Sequence, residues 1–240
     1  MRVKLYKPFE HWYHGGTIWL ISDTHFDDQD CKIMSDNWPT PEEHIKLINK
    51  YVSKNDTLIH LGDVGNLEWI SKLKGYKILL LGNHDKGVSN YERKWYISVS
   101  KEDKFDRAFD SYEESKEYLD EMVSDGINTR GLRIINNGLF DEVYEGPLFI
   151  NENICLSHEP VGIRFGINIH GHVHSITRYE YWANDCVNIN ISSDTVEWLP
   201  VRLDQIIGGF AVTTLHRQTI DRASKKIGYG STGIIKKKGE

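Results

Sequence analysis

One stretch of the sequence, TLIHLGDVGN at residues 57–66, decides the fold. Its apolar first half stops abruptly at Gly62 and Asp63. A short apolar run that contains β-branched residues and leucine, and that ends in glycine, is typical of a buried strand. The stretch therefore predicts a strand that carries Asp63 at the edge of a sheet.

Four other apolar runs end in the same way, on carboxylate, amide or imidazole groups. They are residues 18–22 before Asp23 and His25, residues 77–81 before Asn83, His84 and Asp85, residues 154–157 before His158, and residues 167–169 before His170, His172 and His174. Five strands that each end on such groups imply one shared site at one edge of a sheet. We place Asp63 at its centre.

Composition and charge narrow the class of protein. The chain has 240 residues, 39% of them hydrophobic, which is enough for one sizeable core. The net charge of −6 argues against unaided binding of duplex nucleic acid, but it does not exclude a small anionic substrate. No run approaches the roughly 20 apolar residues of a membrane helix, and the N-terminal residues lack the apolar stretch of a signal peptide.

The cysteines indicate the redox compartment. Cys31, Cys155 and Cys186 are far apart and odd in number, and no Cys-x-x-Cys pair occurs. The sequence therefore indicates neither a disulfide framework nor a thiolate zinc site, and we expect a cytoplasmic protein.

The front and the back of the chain differ in pattern. Residues 17–85 alternate strands with helices, which favours parallel βαβ units, and one helix should begin at Pro41 behind a Thr40 cap. From Leu132 onward the candidate strands are 132–135, 140–144, 148–150, 154–157, 167–170, 186–191 and 196–200. This combination fits two packed sheets with outer helices in one domain over residues 1–240.

Three segments carry no motif of the shared site. Residues 1–16 are rich in aromatic residues and predict an edge strand or a covering arm, with a substrate gate as the alternative. Residues 86–131 are polar, charged and mainly helical, so we interpret them as an insertion over the rim of the site, against the alternative of a non-catalytic surface helix. The basic tail at residues 211–240 predicts a solvated end, with contact to nucleic acid or a partner protein as the alternative.

The order of the motifs resembles that of the calcineurin-like metallophosphoesterase superfamily. The resemblance rests on Asp23-x-His25, Gly62-Asp63, Gly82-Asn83-His84-Asp85, His158 and Gly171-His172-x-His174, and it covers most of residues 17–175. It implies an α/β fold, a four-layer α/β/β/α sandwich of two mixed sheets, with a dinuclear metal centre at the strand ends. One departure is Asn66, because many members of the superfamily carry an acidic residue three positions after the bridging aspartate.

The resemblance also implies seven metal ligands and a catalytic pair. One divalent cation would be held by Asp23, His25 and His174, and the other by Asn83, His158 and His172. Asp63 would bridge the two cations. His84 would be the catalytic or phosphate-contacting histidine, and Asp85 would hold His84 in place.

The residue types suit this chemistry. Asp23 and Asp63 are the charged ligands of the set, so two dications leave the centre cationic, which can lower the pKa of a bridging water and attract phosphate. Nitrogen and oxygen donors without thiolate suit Mn²⁺, our first expectation, and also Fe²⁺, Zn²⁺, Co²⁺ or Ni²⁺. We hypothesise in-line attack by a metal-bridging hydroxide, with His84 stabilising charge or protonating the leaving oxygen.

Several functions stay open at this point. We expect a phosphodiesterase that acts on a small phosphate ester or nucleotide. The alternatives are a phosphomonoesterase or pyrophosphatase on nucleotides or small phosphorylated metabolites, and a non-catalytic scaffold of the same fold. The complete set of ligands argues against the scaffold, and the negative net charge argues against a nuclease. The sequence does not specify the oligomeric state.

Overall fold

The computed structural model describes residues 2–13, 15–31, 35–85, 94–99, 107–136, 139–164, 166–174, 179–182 and 186–209. The chain divides into two units, Lys4–Val201 and Met1–Val3 with Arg202–Glu240. The described part of the second unit is residues 2–3 and 202–209, of which 203–209 are helical. The predicted basic tail at residues 211–240 lies outside the described residues. Within those residues, no helix is both long and apolar enough to cross a membrane.

Twelve strands occur in the described residues. In chain order they are β1 (Ile18–Ile21), β2 (Thr57–His60), β3 (Tyr76–Leu80), β4 (Trp95–Ser98), β5 (Arg133–Asn136), β6 (Glu142–Tyr144), β7 (Leu148–Phe149), β8 (Ile154–Leu156), β9 (Gly166–His170), β10 (Tyr179–Trp182), β11 (Cys186–Asn190) and β12 (Val201–Arg202). Together with the helices described below, they make the chain a mixed α/β protein with several sheets. That coarse part of the predicted fold class is confirmed.

The first large sheet contains the strands that were predicted from the front of the chain. Within the first unit its order is β1-β2-β3-β6, and all three neighbouring pairs are parallel. Every residue of β2 is buried, as expected for a central strand of a parallel sheet. Parallel pairing brings the carboxyl ends of β1, β2 and β3 to the same edge, where their site residues follow.

The second large sheet is mixed. Its order is β10-β11-β9-β8-β7. The inner pairs β11–β9 and β9–β8 are parallel, whereas the outer pairs β10–β11 and β8–β7 are antiparallel. The parallel pairing of β8 and β9 brings His158 and the His172 loop to one edge of this sheet.

Two α-helices have defined bounds in the described part of the first unit. Helix α1 (Pro41–Tyr51) begins with a capping box, in which the Thr40 side chain accepts from the backbone of Glu43 while the Glu43 side chain accepts from the backbone of Thr40. The predicted start and cap of this helix are therefore confirmed. Helix α2 (Tyr112–Ser124) lies in the predicted insertion and begins at a Ser111 cap.

Helix α1 packs on the first sheet. Ile45 and Ile48 of α1 are buried in one hydrophobic cluster with Leu58 of β2 and Leu79 of β3. The apolar face of α1 therefore covers this sheet, and the cluster anchors the strands whose ends carry the site.

Several local predictions were wrong or incomplete. Residues 193–198 form turns instead of the strand predicted at 196–200, because Glu197 and Trp198 have positive φ angles of 56° and 63°, which a strand does not allow. Strand β10 was not predicted. Among its described residues, the insertion contains strand β4 as well as α2, and β4 pairs antiparallel with β5, which follows the insertion. Residues Lys7–Trp12 form a 3-10 helix, not an edge strand.

Candidate metal centre

The structure brings the seven predicted ligands together in two neighbouring groups. Ligand atoms of Asp23, His25 and His174 lie within 4.8 Å of one another, and so do those of Asp63, His158 and His172. Both groups have the membership that the family resemblance implied. Asn83 joins the second group, since its Oδ1 lies 2.8 Å from Nε2 of His158 and 3.0 Å from Nδ1 of His172.

Asp63 stands between the two groups. Its Oδ2 lies 3.3 Å from Nε2 of His158 in the second group and 3.8 Å from Nε2 of His25 in the first. Its other oxygen, Oδ1, accepts a hydrogen bond of 2.9 Å from the backbone N–H of His84. One oxygen is thus fixed by the protein, while the other faces imidazole nitrogens from both sides.

The backbone of the site adopts conformations that side chains normally avoid. Asp23, His25, Asp63 and His172 all have positive φ angles, between 42° and 66°. Residues held in this sparsely populated region cluster at functional sites, because the surrounding structure must enforce them. Four of the seven predicted ligands are therefore presented by loops whose local geometry is less stable than that of an ordinary turn.

Two glycines allow the ligand loops to approach each other. A Cβ on Gly82 would overlap the carboxylate of Asp63, and a Cβ on Gly171 would overlap the Ser22 side chain and the carboxylate of Asp23. These two positions therefore leave no room for a side chain.

Buried polar residues below the site fix the same loops. His60 accepts from the backbone N–H of Gly62 at Nδ1, and its Nε2–H donates to Thr24 Oγ1, which donates in turn to the Val64 carbonyl. Thr24 separates the predicted ligands Asp23 and His25. This chain of hydrogen bonds ties the loop after β1 to the loop after β2.

The described hydrogen bonds of the Asp85 side chain run to the Asp63 loop and to Gly82 in its own loop. The carboxylate accepts from the backbone N–H groups of Asp63 and Gly82 at Oδ2, both at 2.8 Å, and of Val64 at Oδ1 at 3.1 Å. These contacts give Asp85 a structural role that the sequence did not reveal. That Asp85 also holds the His84 side chain stays a prediction.

Aromatic rings border the first group. The exposed ring of His84 lies 5.5 Å from the ring of His25, so His84 sits at the rim. Trp38 lies 6.0 Å from His25 and 5.8 Å from His174, between their rings and that of Trp198. Cavities of about 470 and 580 Å³ open beside Asn83 and beside Trp38, respectively, so a substrate has room on both sides of the site.

The charges in the site are strongly coupled. Burial alone would raise the pKa of Asp63, but the hydrogen bond and charge of His158 and the His84 N–H hold it at about 2. Burial would lower the pKa of His158, but the neighbouring carboxylates of Asp63 and Asp23 raise it above its usual range. Protons and cations therefore compete for the imidazole, and metal affinity should fall as the pH is lowered.

The donor set fits a divalent cation. His25 is only 5% exposed, and its buried Nε2 has no hydrogen-bond partner among the described residues. A buried polar atom without a partner is costly, and a cation at this nitrogen would remove the cost. The Nδ1–H of His158 donates to the Leu61 carbonyl at 2.9 Å, which leaves its Nε2 lone pair free for an ion.

A third group of potential ligands shares His25. Its Nδ1, a carboxylate oxygen of Asp28 and the thiol of Cys31 lie within 4.8 Å of one another. Burial and the charge of Asp28 raise the pKa of Cys31 to about 12, so without a bound ion its sulfur is a protonated thiol. All three cysteines are free and buried, in agreement with the absence of a predicted disulfide.

Two carboxylates near the site were missed by sequence reasoning. Asp28 lies 3.3 Å from Nδ1 of His25, and Asp194 lies 3.2 Å from Nδ1 of His174. The spacing of three residues between His25 and Asp28 could have indicated the first contact. Nothing in the sequence indicated the second, because Asp194 follows β11, 20 residues after His174.

Comparison with known proteins gives a family match and one structural likeness. The family model of calcineurin-like phosphoesterases matches residues 16–209. The crystal structure of the protein of unknown function AQ665 from Aquifex aeolicus is similar, with 21% sequence identity and a TM-score of 0.46, covering 80% of this chain and 98% of that one. No curated protein matches this chain.

Proposed function

The chain belongs to the calcineurin-like phosphoesterase family, and from that membership we propose that it is a hydrolase of phosphate esters that uses two divalent cations. Members of the family bind divalent metals, and the candidate ligand groups described above agree with that property. Because the family also contains non-catalytic members, catalysis by this chain is part of the proposal.

One observation supports the proposal most directly: Oδ2 of Asp63 faces a histidine of each ligand group. Two cations close together repel each other, and an anion shared between them offsets the repulsion. We propose that the first cation is held by Asp23, His25 and His174, that the second is held by Asn83, His158 and His172, and that Asp63 is common to both.

The side chains of the protein would divide the work as follows. Two cations held by these residues would supply positive charge that activates water and polarises the phosphate. His84 lies exposed at the rim, where its imidazole can donate a hydrogen bond to a phosphate oxygen or a proton to the leaving oxygen. Asp85 fixes the loop of Asp63 through the N–H groups of Asp63 and Val64 and ties it to Gly82, and Trp38 borders the cavity in which the ester group would lie.

The finer parts of the proposal rest on the family resemblance and, for the insertion and the location, on the composition of the sequence. We propose phosphodiesters as the substrate class, with monoesters, nucleotides or pyrophosphate bonds as the alternative, and Mn²⁺ as the metal. We also propose the four-layer α/β/β/α arrangement, a single domain with the insertion at residues 86–131, and a cytoplasmic location. The packing of α1 on the first sheet supports the layered arrangement.

A metal analysis combined with an ester screen tests the function. Purified protein should bind two Mn²⁺ ions per chain and release p-nitrophenol from bis(p-nitrophenyl) phosphate faster than from the monoester. The His84→Ala variant should keep both ions and lose turnover. Faster release from the monoester would show that the protein is a monoesterase and that the proposed diesterase activity is wrong. Two bound ions without hydrolysis of any ester in a screen that includes nucleotides would favour the scaffold.

A further inference from the structure

We propose that Asp28 and Asp194 are positioning residues for the first cation. Each carboxylate lies behind one imidazole of the first ligand group, on the side away from Asp23 and Asp63. The inference rests on the proposed function only in that His25 and His174 take an ion through Nε2.

The contact between Asp28 and His25 is made within one tight loop. The Asp28 carboxylate lies 3.3 Å from Nδ1 of His25, three residues earlier, and its other oxygen accepts a hydrogen bond of 3.0 Å from the backbone N–H of Asp30. One end of the carboxylate is thus tied to its own loop while the other faces the imidazole. The negative charge beside Nδ1 favours the tautomer of His25 that carries its proton there, and the unpartnered Nε2 lies 3.8 Å from Oδ2 of Asp63.

The contact between Asp194 and His174 joins distant parts of the chain. Nδ1 of His174 donates to Oδ1 of Asp194 over 3.2 Å. The neighbouring Ser193 donates from its backbone N–H at 3.1 Å and from its hydroxyl at 2.6 Å to the carbonyl of Ser22, which directly precedes Asp23. Asp194 is therefore attached to the same strand end that carries a ligand, so it can hold His174 at a fixed position relative to Asp23.

The second ligand group is supported differently. The Nδ1–H of His158 donates to a backbone carbonyl, that of Leu61, which carries no net charge. A carboxylate behind an imidazole makes the ligating nitrogen more basic and adds negative charge near the cation, whereas a carbonyl mainly orients the ring. Loss of Asp28 or Asp194 should therefore lower the affinity for one of the two cations and leave the affinity for the other unchanged.

Four variants separate charge from orientation. Asparagine keeps an oxygen that can accept from Nδ1–H but removes the charge, whereas alanine removes both. We expect Asp28→Ala and Asp194→Ala to lower the affinity for one Mn²⁺ ion by about 10- to 100-fold, and the two asparagine variants to have smaller losses. Asp30→Asn is the matched control, because it removes an exposed carboxylate from the same loop without touching His25. Isothermal titration calorimetry with Mn²⁺ measures both affinities without a substrate.

Nitrogen NMR of the histidines gives a second readout. The ring nitrogens of His25 and His174 should report a proton on Nδ1 in the wild-type protein loaded with diamagnetic Zn²⁺, and this tautomer should be less populated in the alanine variants. Unchanged Mn²⁺ affinities together with unchanged tautomers in both alanine variants would overturn the inference. An equal loss of affinity for both cations would also overturn the inference, since the carboxylates would then act on the whole site.

The outcome separates this inference from the proposed function. If the wild-type protein binds two ions, and the variants weaken one of them, but no phosphate ester is hydrolysed, the positioning roles stand and the proposed hydrolase is wrong. If the wild-type protein hydrolyses esters and all four variants keep both affinities, the hydrolase stands and the positioning roles are wrong.

Discussion

Replacing Asp85 by alanine should destabilise the protein, because this carboxylate accepts three backbone hydrogen bonds in the centre of the site. Asp85 is only 2% exposed, so bulk water cannot readily take the place of its oxygens. Each buried donor left without a partner costs about 1–3 kcal/mol, so three of them should lower the free energy of unfolding by about 3 kcal/mol or more. Asp85→Asn keeps one oxygen, which can still accept from Asp63 and Gly82, and should lose about 2 kcal/mol.

Urea unfolding of the metal-free protein, followed by tryptophan fluorescence, measures these losses without any contribution from bound cations. Asp125→Asn is the control, because Asp125 is exposed and caps α2 through its backbone. The control should unfold like the wild-type protein. An Asp85→Ala variant whose free energy of unfolding lies within about 0.5 kcal/mol of wild type would refute the role given to these hydrogen bonds.

Four further predictions follow from the site and the core. His84→Ala should reduce turnover by about 10²- to 10⁴-fold while metal analysis still finds two ions. Gly82→Ala should lose metal affinity, measured by equilibrium dialysis, because its Cβ would overlap the Asp63 carboxylate. Asn83→Asp should bind metal yet raise KM for phosphate esters, because it adds negative charge beside the cations; an unchanged KM would contradict this. Burial lowers the pKa of His44 from 6.5 to about 4, so between these pH values the unfolded chain binds a proton that the folded chain does not. The free energy of unfolding should therefore fall by up to about 3 kcal/mol as the pH drops from 6.5 to 4. This loss should be smaller in the His44→Gln variant.

The positions of the candidate ligands could be predicted because the same local sequence pattern recurs at each of them. An apolar run that ends in a polar group marks the end of a buried strand, and parallel pairing then brings such ends to one edge. The pairing of β1, β2 and β3 is parallel in register along their full overlap, so Asp23, Asp63 and Asn83 follow neighbouring strand ends. Their convergence therefore needed no information beyond hydrophobic patterning and order.

The residues that support the ligands could not be predicted in the same way. Asp194, which contacts His174, lies in the turn at residues 193–198, and the second half of this turn was predicted as part of a strand at 196–200. The family resemblance implied that Asp85 holds His84, whereas two of its three described hydrogen bonds run to backbone groups of the Asp63 loop and the third to Gly82. Contacts of this kind depend on tertiary geometry and leave no periodic trace in the sequence.

Anomalous diffraction from crystals of the protein grown with Mn²⁺ tests the central claim most directly. We predict two anomalous peaks about 3.5–4 Å apart, one on each side of the Asp63 carboxylate, with Asp23, His25 and His174 around one peak and Asn83, His158 and His172 around the other. A single peak, or two peaks that do not share Asp63, would contradict the dinuclear centre.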